Sequence, residues 1–293
     1  MDIIYVLQIA VSGLIQGCLY ALVALALVVI FNASGVLNFA EGAMGMAGAY
    51  VAWMLFANYG VSYHLAFLAA LVLSFALGVA VQLFLLGRMR GASPMMQIVA
   101  TLGLFMFLEG MFGLFFGYNP RLLPQPTSLS PLVIGDLVVT PGTILGLAIL
   151  AGVGGALALL FKRTRFGLAM RAITQNEYAA RLMGLRVERT LAVTWGLGVL
   201  LGAAAAILAA PLTSLTPNMM DTIVVYAFAA AIIGGFGSLI GAVAGGLFLG
   251  VVNNLIVAFL APEFSMSFIF LLLLLVLYAK PNGFFGQRTV QRV

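Results

Sequence analysis

Long runs of apolar residues, separated by short polar segments, constrain this chain more than any other feature of its sequence. The run 268–277 has the sequence FIFLLLLLVL and contains no polar side chain. Several runs are long enough to cross the hydrocarbon core of a bilayer as a helix, which needs about 20 residues. They do not alternate apolar with polar residues, as the strands of a membrane barrel do. The sequence therefore predicts an all-α membrane protein.

The shortage of charge leads to the same conclusion. Only 7% of the residues are charged and 64% are hydrophobic, whereas about 25% of the residues in a soluble domain are charged. A water-soluble fold with so few charges has too little polar surface to cover itself. No segment is long and polar enough for a soluble domain. We therefore expect residues 1–293 to form one domain, a polytopic transmembrane helical bundle.

Nine apolar segments are predicted to cross or enter the membrane. They are 4–31, 37–58, 63–86, 94–116, 144–161, 191–210, 222–235, 239–260 and 264–279. The second and seventh are short and follow polar interruptions, so we predict about 8–10 spans, some of them interrupted or re-entrant. Residues 117–141 contain five prolines, which favours a loop with a short extended piece. The amino-terminal residues lack the basic region of a cleavable signal peptide, so we expect the first run to be a permanent span.

The positions of lysine and arginine predict the orientation. Seven of the thirteen lie in 162–189, two at 88 and 90, and three at 280, 288 and 292, while only Arg121 lies elsewhere. Cytoplasmic loops carry an excess of these residues. Nine crossings with the amino terminus outside place all three basic regions in the cytoplasm. The net charge of +5 thus belongs to orientation signals, and we predict no nucleic-acid partner.

The basic segment 162–189 is predicted to carry a short amphipathic helix at 172–183. Ile173, Ala180 and Met183 lie on its apolar side, with Ala179 beside them. Glu177 precedes Arg181 by four residues, the favourable order for a helical ion pair, and Gly184 suits a helix stop. Such a helix either docks in a groove of a soluble partner or rests on anionic lipid.

Polar side chains inside the predicted spans are candidate functional residues. Four residues share one helical face at positions i, i+3, i+4 and i+7: Asn38, Glu41, Gly42 and Gly45. An acid at membrane depth costs roughly 2.5–3.5 kcal/mol and usually faces a cavity or the bundle interior. Glu109 is a second such acid, and Asn253 and Asn254 lie in the eighth segment. A helix neighbour is an alternative partner for each of them.

Glycines at helical spacing mark the seventh and eighth segments. They are Gly234, Gly237, Gly241 and Gly245, with Ser238 beside them. Close helix packing in lipid explains such a stripe without a further role. Residues 39–50 (FAEGAMGMAGAY) and 237–248 (GSLIGAVAGGLF) also form a faint internal repeat. Repeated halves with interrupted helices are a common plan of transporters, and the interruptions tend to mark the substrate path.

The sequence contains no motif for chemistry. There is no G-x-x-x-x-G-K-[ST] phosphate loop, no nucleophile elbow and no cluster of metal ligands. Cys18 is the only cysteine, which excludes an internal disulfide. We therefore predict no catalytic residue, no metal and no cofactor of its own, and a protein that is not an enzyme.

Four motifs in order along the chain carry a resemblance to a known family. They are Asn38–Gly42 (NFAEG) with GAY at 48–50, TRFGLAMRAITQNEYAARLMG at 164–184, GGFGS at 234–238 with Gly241, and KPNGFFG at 280–286. With them the chain resembles the LivH-type permeases of branched-chain amino acid importers driven by ATP-binding-cassette (ABC) subunits. The family often has His where this chain has Glu41.

The resemblance implies a transport subunit of the bacterial inner membrane that works by alternating access. It implies four kinds of partner besides membrane lipid: a second homologous permease, two cytoplasmic ATPase subunits that bind the ATP, and a periplasmic substrate-binding protein. It implies coupling to the ATPase through Arg171, Ala172, Asn176, Ala179 and Gly184. It also implies a translocation pathway at Asn38, Glu41, Gly42, Gly45, Gly234, Gly235, Gly237, Ser238 and Gly241.

The sequence leaves alternatives open for the substrate and for the energy source. Leucine, isoleucine and valine are the expected substrates, with other amino acids, urea or short amides as the alternative. An ion-coupled secondary transporter, with Glu41 or Glu109 as proton carrier, is the alternative class. A helix for docking an ATPase distinguishes the two classes, because a secondary transporter has no need of it.

Overall fold

The computed structural model describes residues 3–89, 91–124 and 130–286. Eleven α-helices lie within them: α1 (Ile3–Ser34), α2 (Glu41–Ala57), α3 (Tyr63–Phe84), α4 (Pro94–Phe116), α5 (Pro141–Arg163), α6 (Arg165–Gln175), α7 (Glu177–Leu182), α8 (Val187–Thr213), α9 (Asp221–Gly234), α10 (Leu239–Phe259) and α11 (Ser265–Ala279). Nine of them correspond to the nine predicted apolar segments, which confirms the all-α bundle. Arg90, Arg288 and Arg292, used above for orientation, lie outside the described residues.

Two of the nine apolar segments are shorter than the others. Seven are long and apolar enough to span, counting α11 together with the turn before it (Pro262–Ala279), whereas α2 has 17 residues and α9 has 14. At 1.5 Å per residue, α9 is about 21 Å long, against a hydrocarbon core of about 30 Å. Each follows a long helix after a non-helical break, at 35–40 before α2 and at 214–220 before α9. The prediction of interrupted spans is therefore confirmed for the second and seventh segments.

The proline-rich loop contains the extended piece that the sequence predicts. Strands β1 (Leu132–Ile134) and β2 (Leu137–Val139) form an antiparallel hairpin with Leu132 opposite Val139. Gly135 begins its two-residue turn with φ of 63°, a value that glycine adopts without strain.

Helices α1 and α8 form the centre of the bundle. The most apolar stretch of each is 78% buried, whereas those of α4 and α11 are 11% buried. Helix α1 packs on α10, α8 and α9, and α8 packs on α3, α1 and α2. The peripheral helices expose large apolar side chains such as Leu114 and Tyr278, which suits a surface that faces lipid.

The packing reveals a repeat of four helices. In each half a long helix (α1 or α8) leads through a break into a short helix (α2 or α9). Helix α1 packs on α10, the third helix of the second half, and α8 packs on α3, the third helix of the first half. This exchange of contacts relates α1–α4 to α8–α11. The predicted repeat was wrong in its pairing, because 39–50 covers the start of α2 whereas 237–248 covers the start of α10. Ala33 near the end of α1 packs in one cluster with Val187 at the start of α8, so α8 begins on the side where α1 ends, and the two halves run in opposite directions.

The single amphipathic helix predicted at 172–183 is also wrong. The structure has two helices there, α6 and α7, which meet at Asn176. Asn176 has extended backbone angles (φ −159°, ψ 102°), and its side chain accepts a hydrogen bond from the Ala179 amide at 2.9 Å. A side-chain cap of this kind begins a new helix. Of the predicted apolar side, Ile173 and Ala180 are buried, but Met183 is 83% exposed and Ala179 is also exposed.

Glycines allow α1 and α10 to pack closely, and this leads to a stability prediction. A Cβ at Gly250 overlaps the backbone of Gly17 and comes within 2.7 Å of the Gly13 carbonyl oxygen, whereas a Cβ at Gly155 in α5 has nothing within 4 Å. We expect Gly250→Ala to destabilise the protein by about 1–3 kcal/mol, as overpacking does. We expect Gly155→Ala to be neutral or stabilising, because alanine favours a helix. Thermal unfolding in detergent compares the two, and an unchanged midpoint for Gly250→Ala contradicts the packing.

Candidate functional site at the helix breaks

The first break holds a buried acid. Glu41 is 0% exposed and Asn38 is 1% exposed. The Asn38 amide donates to Glu41 Oε2 at 2.8 Å, and Asn38 Oδ1 accepts from the Ala40 amide at 3.1 Å. Among the described residues, Glu41 Oε1 has no hydrogen-bond partner. A buried polar atom without a partner is costly, so this oxygen calls for an explanation.

Glycines of α2 and α8 make room for the acid. A Cβ at Gly202, in the middle of α8, would overlap Glu41 Oε1. A Cβ at Gly45 would come within 2.7 Å of the Gly202 carbonyl oxygen, and one at Gly42 within 2.5 Å of Val224 Cγ2. The predicted face of Asn38, Glu41, Gly42 and Gly45 therefore lies at the contact of α2 with α8 and α9. Any side chain on these glycines would separate the helices.

The second break repeats the pattern, and the sequence analysis missed it. Asn218 lies three residues before Asp221, the first residue of α9, as Asn38 lies three residues before Glu41, the first residue of α2. Asp221 is partly exposed and lies within electrostatic range of Glu109 on α4. The repeated Asn-x-x-acid spacing after a long apolar run is the signal that identifies it. A Cβ at Gly42 would lie 3.2 Å from Met220 Cβ, so the starts of the two short helices are in contact.

The other predicted pathway residues lie elsewhere, at the corner between α9 and α10. Gly234 and Gly241 touch through their backbones, and Gly235 packs against the segment 282–286. The amides of Phe284 and Phe285 donate to the carbonyls of Ile233 and Gly234 at 2.9 Å. Ser238 caps α10 by accepting from the Gly241 amide at 3.0 Å, and the Gly237 carbonyl accepts from the Asn32 amide group at 3.3 Å. Packing accounts for this corner, and its role in translocation stays a prediction.

An apolar groove of about 490 Å³ lies beside the first break. Its aromatic lining is Phe31, Phe39, Phe228, Phe236 and Phe270. The Phe39 and Phe228 rings stack with centroids 5.1 Å apart. Leu37 and Phe39 line the groove, whereas Asn38 between them turns to Glu41. Residues 37–39 thus place a polar contact on one side of the chain and an apolar surface on the other.

The segment α6–α7 is anchored to the end of α1. One apolar cluster joins them to the start of α8: Ala33, Met170, Ile173, Ala180, Val187 and Leu191. The Thr174 hydroxyl donates to the carbonyl of Asn32 and also, at 2.9 Å, to that of Met170. Asn32 and Ala33 directly precede the break that leads to Glu41. A short, packed connection therefore joins α6–α7 to the residues that precede the first break.

The predicted coupling residues lie on this segment. Arg171, Asn176, Ala179 and Gly184 are exposed, and Ala172 is partly exposed. Gly184 has φ of 80° and ends the α7 turn, as the sequence predicted. Three large apolar side chains nearby are exposed as well: Tyr178 (73%), Leu182 (72%) and Met183 (83%). An exposed apolar patch next to charged residues is typical of a protein-binding surface.

This architecture defines a class of protein. A polytopic bundle with two oppositely directed repeats, whose short helices begin in contact at a buried acid, is the plan of a membrane transport protein. The chain belongs to the family of permease components of branched-chain amino acid transport systems, whose sequence model matches residues 9–277. With seven apolar helices long enough to span, it is a multi-pass protein of the inner membrane.

Characterised relatives match over nearly the whole chain. The permease protein LivH of a high-affinity branched-chain amino acid transport system in Salmonella typhimurium is 28% identical over 304 residues, which cover 99% of this chain and 98% of LivH. The corresponding protein BraD of Pseudomonas aeruginosa is 29% identical over 305 residues, covering 100% of this chain and 99% of BraD. LsrC of Klebsiella pneumoniae, a permease of an autoinducer 2 import system, is 35% identical over 188 residues, covering 61% of this chain and 53% of LsrC. No solved structure gives a significant match.

Proposed function

We propose that this chain is the membrane-spanning permease subunit of an ABC importer for leucine, isoleucine and valine. The observation that carries the proposal is the match over nearly full length to LivH and BraD, which are permeases for branched-chain amino acids. The partners that we propose are a second homologous permease, two cytoplasmic ATPase subunits and a periplasmic binding protein. ATP hydrolysis belongs to the ATPase subunits, and this chain carries out no covalent chemistry.

The proposed mechanism is alternating access around the two breaks. ATP binding closes the ATPase subunits, which move α6 and α7. Thr174 bonds to Asn32, and the apolar cluster contains Ala33. These contacts pass the movement to the break before Glu41. Because α2 and α9 begin side by side, a shift of one break changes its contact with the other. The pathway then opens on one side of the membrane as it closes on the other.

Uptake of labelled leucine at low concentration tests this function. We expect deletion of the gene to abolish high-affinity uptake. In wild-type cells we expect uptake to be lost when ATP is depleted and to persist when an uncoupler removes the proton gradient. Valine and isoleucine should compete with the labelled leucine, whereas urea should not.

Two results would redirect the assignment. Unchanged leucine uptake in the deletion strain contradicts the substrate class and leads to other amino acids, urea and short amides. Uptake that responds only to the uncoupler contradicts the ATP-driven mechanism and favours an ion-coupled transporter with Glu41 or Glu109 as the proton carrier.

A further inference from the structure

Arg121 has an unusual position for a cation in this chain. It lies in the loop after α4, on the side predicted to be outside, whereas the other twelve lysines and arginines fall in the three predicted cytoplasmic regions. Its guanidinium lies over the Trp53 ring at 4.4 Å, and Nη2 donates to the Phe116 carbonyl at 2.8 Å. These contacts hold the side chain inward against the ends of α2 and α4.

Two hydrogen-bond donors at this place have no partner. Within the described part of the chain, neither Arg121 Nε nor the Tyr50 hydroxyl makes a hydrogen bond, although both atoms are buried. Tyr50 is 1% exposed and lies within electrostatic range of the guanidinium. Both side chains pack on Phe116: the Tyr50 ring centroid lies 4.7 Å from the Phe116 centroid, and the Arg121 Cζ atom 5.5 Å from it. Two side chains with unpaired donors thus pack against the same aromatic ring.

The chemistry of these donors favours a carboxylate. Leaving buried donors unpaired is costly, and native structures do so mainly where a ligand, ion or water completes the bonds. The edge of a guanidinium matches a carboxylate, and hydrogen bonds to a charged partner are stronger than neutral ones. A phenol hydroxyl next to it supplies a further donor. The contacts of Arg121 with Phe116 and Trp53 use Nη2 and the face of the guanidinium, whereas the Nε–H has no partner among the described residues.

The site is also tied to the second break. The Arg121 amide donates to the Leu215 carbonyl at 3.1 Å, and the Leu215 amide donates to the Arg121 carbonyl at 2.9 Å. Leu215 lies in the break 214–220 that leads to Asp221 and α9. The paired backbones of Arg121 and Leu215 therefore connect this site to the break before α9.

We propose that Arg121 and Tyr50 form a binding site for the carboxylate group of the amino-acid substrate at the outer end of the translocation pathway. The proposal rests on the proposed function, since it names the substrate group that this chain recognises. It assigns Arg121 the charge-assisted contact and Tyr50 a neutral one. The site acts on substrate that has entered the permease.

Fluorescence of Trp53 tests the proposal directly. The chain has two tryptophans, Trp53 and Trp195, so Trp195→Phe leaves Trp53 beside Arg121 as the reporter. The full-length variant in lipid nanodiscs is titrated with leucine and with leucinamide, which has a neutral amide in place of the carboxylate. We expect a saturable response to leucine and a response at least ten times weaker to leucinamide. If Trp195→Phe does not fold, the difference between the wild type and Trp53→Phe isolates the same signal.

Matched variants separate binding from structure. We expect Arg121→Gln to weaken leucine binding by about 10- to 100-fold and Tyr50→Phe by about 10-fold, without removing the aromatic packing. Arg88→Gln is the control, because Arg88 also lies over a ring (Phe84, 5.9 Å) and donates to a carbonyl oxygen (that of Phe84, 3.4 Å) on the other side of the bundle. Equal responses to leucine and leucinamide, or equal binding by Arg121→Gln and Arg88→Gln, overturn the site.

The uptake measurement distinguishes failure of the site from failure of the proposed function. Leucine uptake by the importer without a carboxylate-dependent Trp53 response overturns the site and leaves the function standing. A carboxylate-dependent Trp53 response without leucine uptake supports the site and contradicts the proposed substrate.

Discussion

Replacing Glu41 with glutamine is expected to leave the fold intact and to lower leucine transport by about 10- to 100-fold. Glutamine has the same shape, and its side-chain oxygen can still accept the bond that Asn38 donates at 2.8 Å. Glutamine cannot ionise, so it cannot present a negative charge at the oxygen that has no partner among the described residues. If that oxygen binds the ammonium group of the substrate as the breaks move, a charge-assisted bond is lost. Such bonds contribute about 1.5–3 kcal/mol.

The expected stability of this variant runs opposite to its activity. A carboxylate that is 0% exposed and has one hydrogen bond is costly to bury, so the neutral amide should keep or raise the midpoint of thermal unfolding. Glu263→Gln is the control, because Glu263 is an exposed acid in the turn before α11. We expect the control to transport like the wild type. Transport at the wild-type rate by Glu41→Gln would exclude a role for the charge.

Local sequence signals determined most of the helices. The bounds of α4, Pro94–Phe116, coincide with the predicted segment, because both ends carry strong signals. The Ser93 side chain accepts from the Met96 amide at 3.4 Å, proline occupies the first turn, and Gly117 follows with φ of 71°. Each of these is a property of a few neighbouring residues, and apolar length decides the rest.

The wrong prediction of a single helix at 172–183 has a different origin. The division of 172–183 into two helices depends on one side chain, because Asn176 either continues a helix or caps a new one. The sequence did not decide between these, since Ile173 and Ala180 fit the apolar side of either arrangement. The cluster that joins them to Ala33 and Val187 is a tertiary contact, and such contacts override local propensity.

The candidate site was predictable only in part. The first break stood out because Glu41 is an acid within an apolar run. Asp221 was missed because it lies at the edge of a polar interruption, where an acid is ordinary. The packing makes Asp221 a candidate site residue, because it brings Met220 next to Gly42 and shows that the two breaks are equivalent positions of a repeat. Arg121 and Tyr50 are 71 positions apart in the chain, and only the fold brings them to the same ring.

The apolar surface of α7 gives the second large effect. Leu182 and Met183 are 72% and 83% exposed and lie in the predicted coupling region. We expect the double substitution Leu182→Ser with Met183→Ser to abolish ATP-driven uptake, because a few residues at the centre of an interface contribute about 2 kcal/mol or more each. The fold should persist, since the segment is held by Ile173 and Ala180, which are buried. Co-purification of the ATPase subunits measures the loss of binding.

A matched control separates docking from general loss of apolar surface. Tyr278 on α11 is 91% exposed but lies outside the coupling region, so Tyr278→Ser should retain both the ATPase subunits and uptake. If the α7 double variant still co-purifies with the ATPase and transports leucine, α7 is not the docking surface. The alternative in which the segment rests on anionic lipid then gains support. If the ATPase is retained but transport is lost, α7 passes on the movement without contributing to affinity, and the connection through Thr174 to Asn32 becomes the next position to alter.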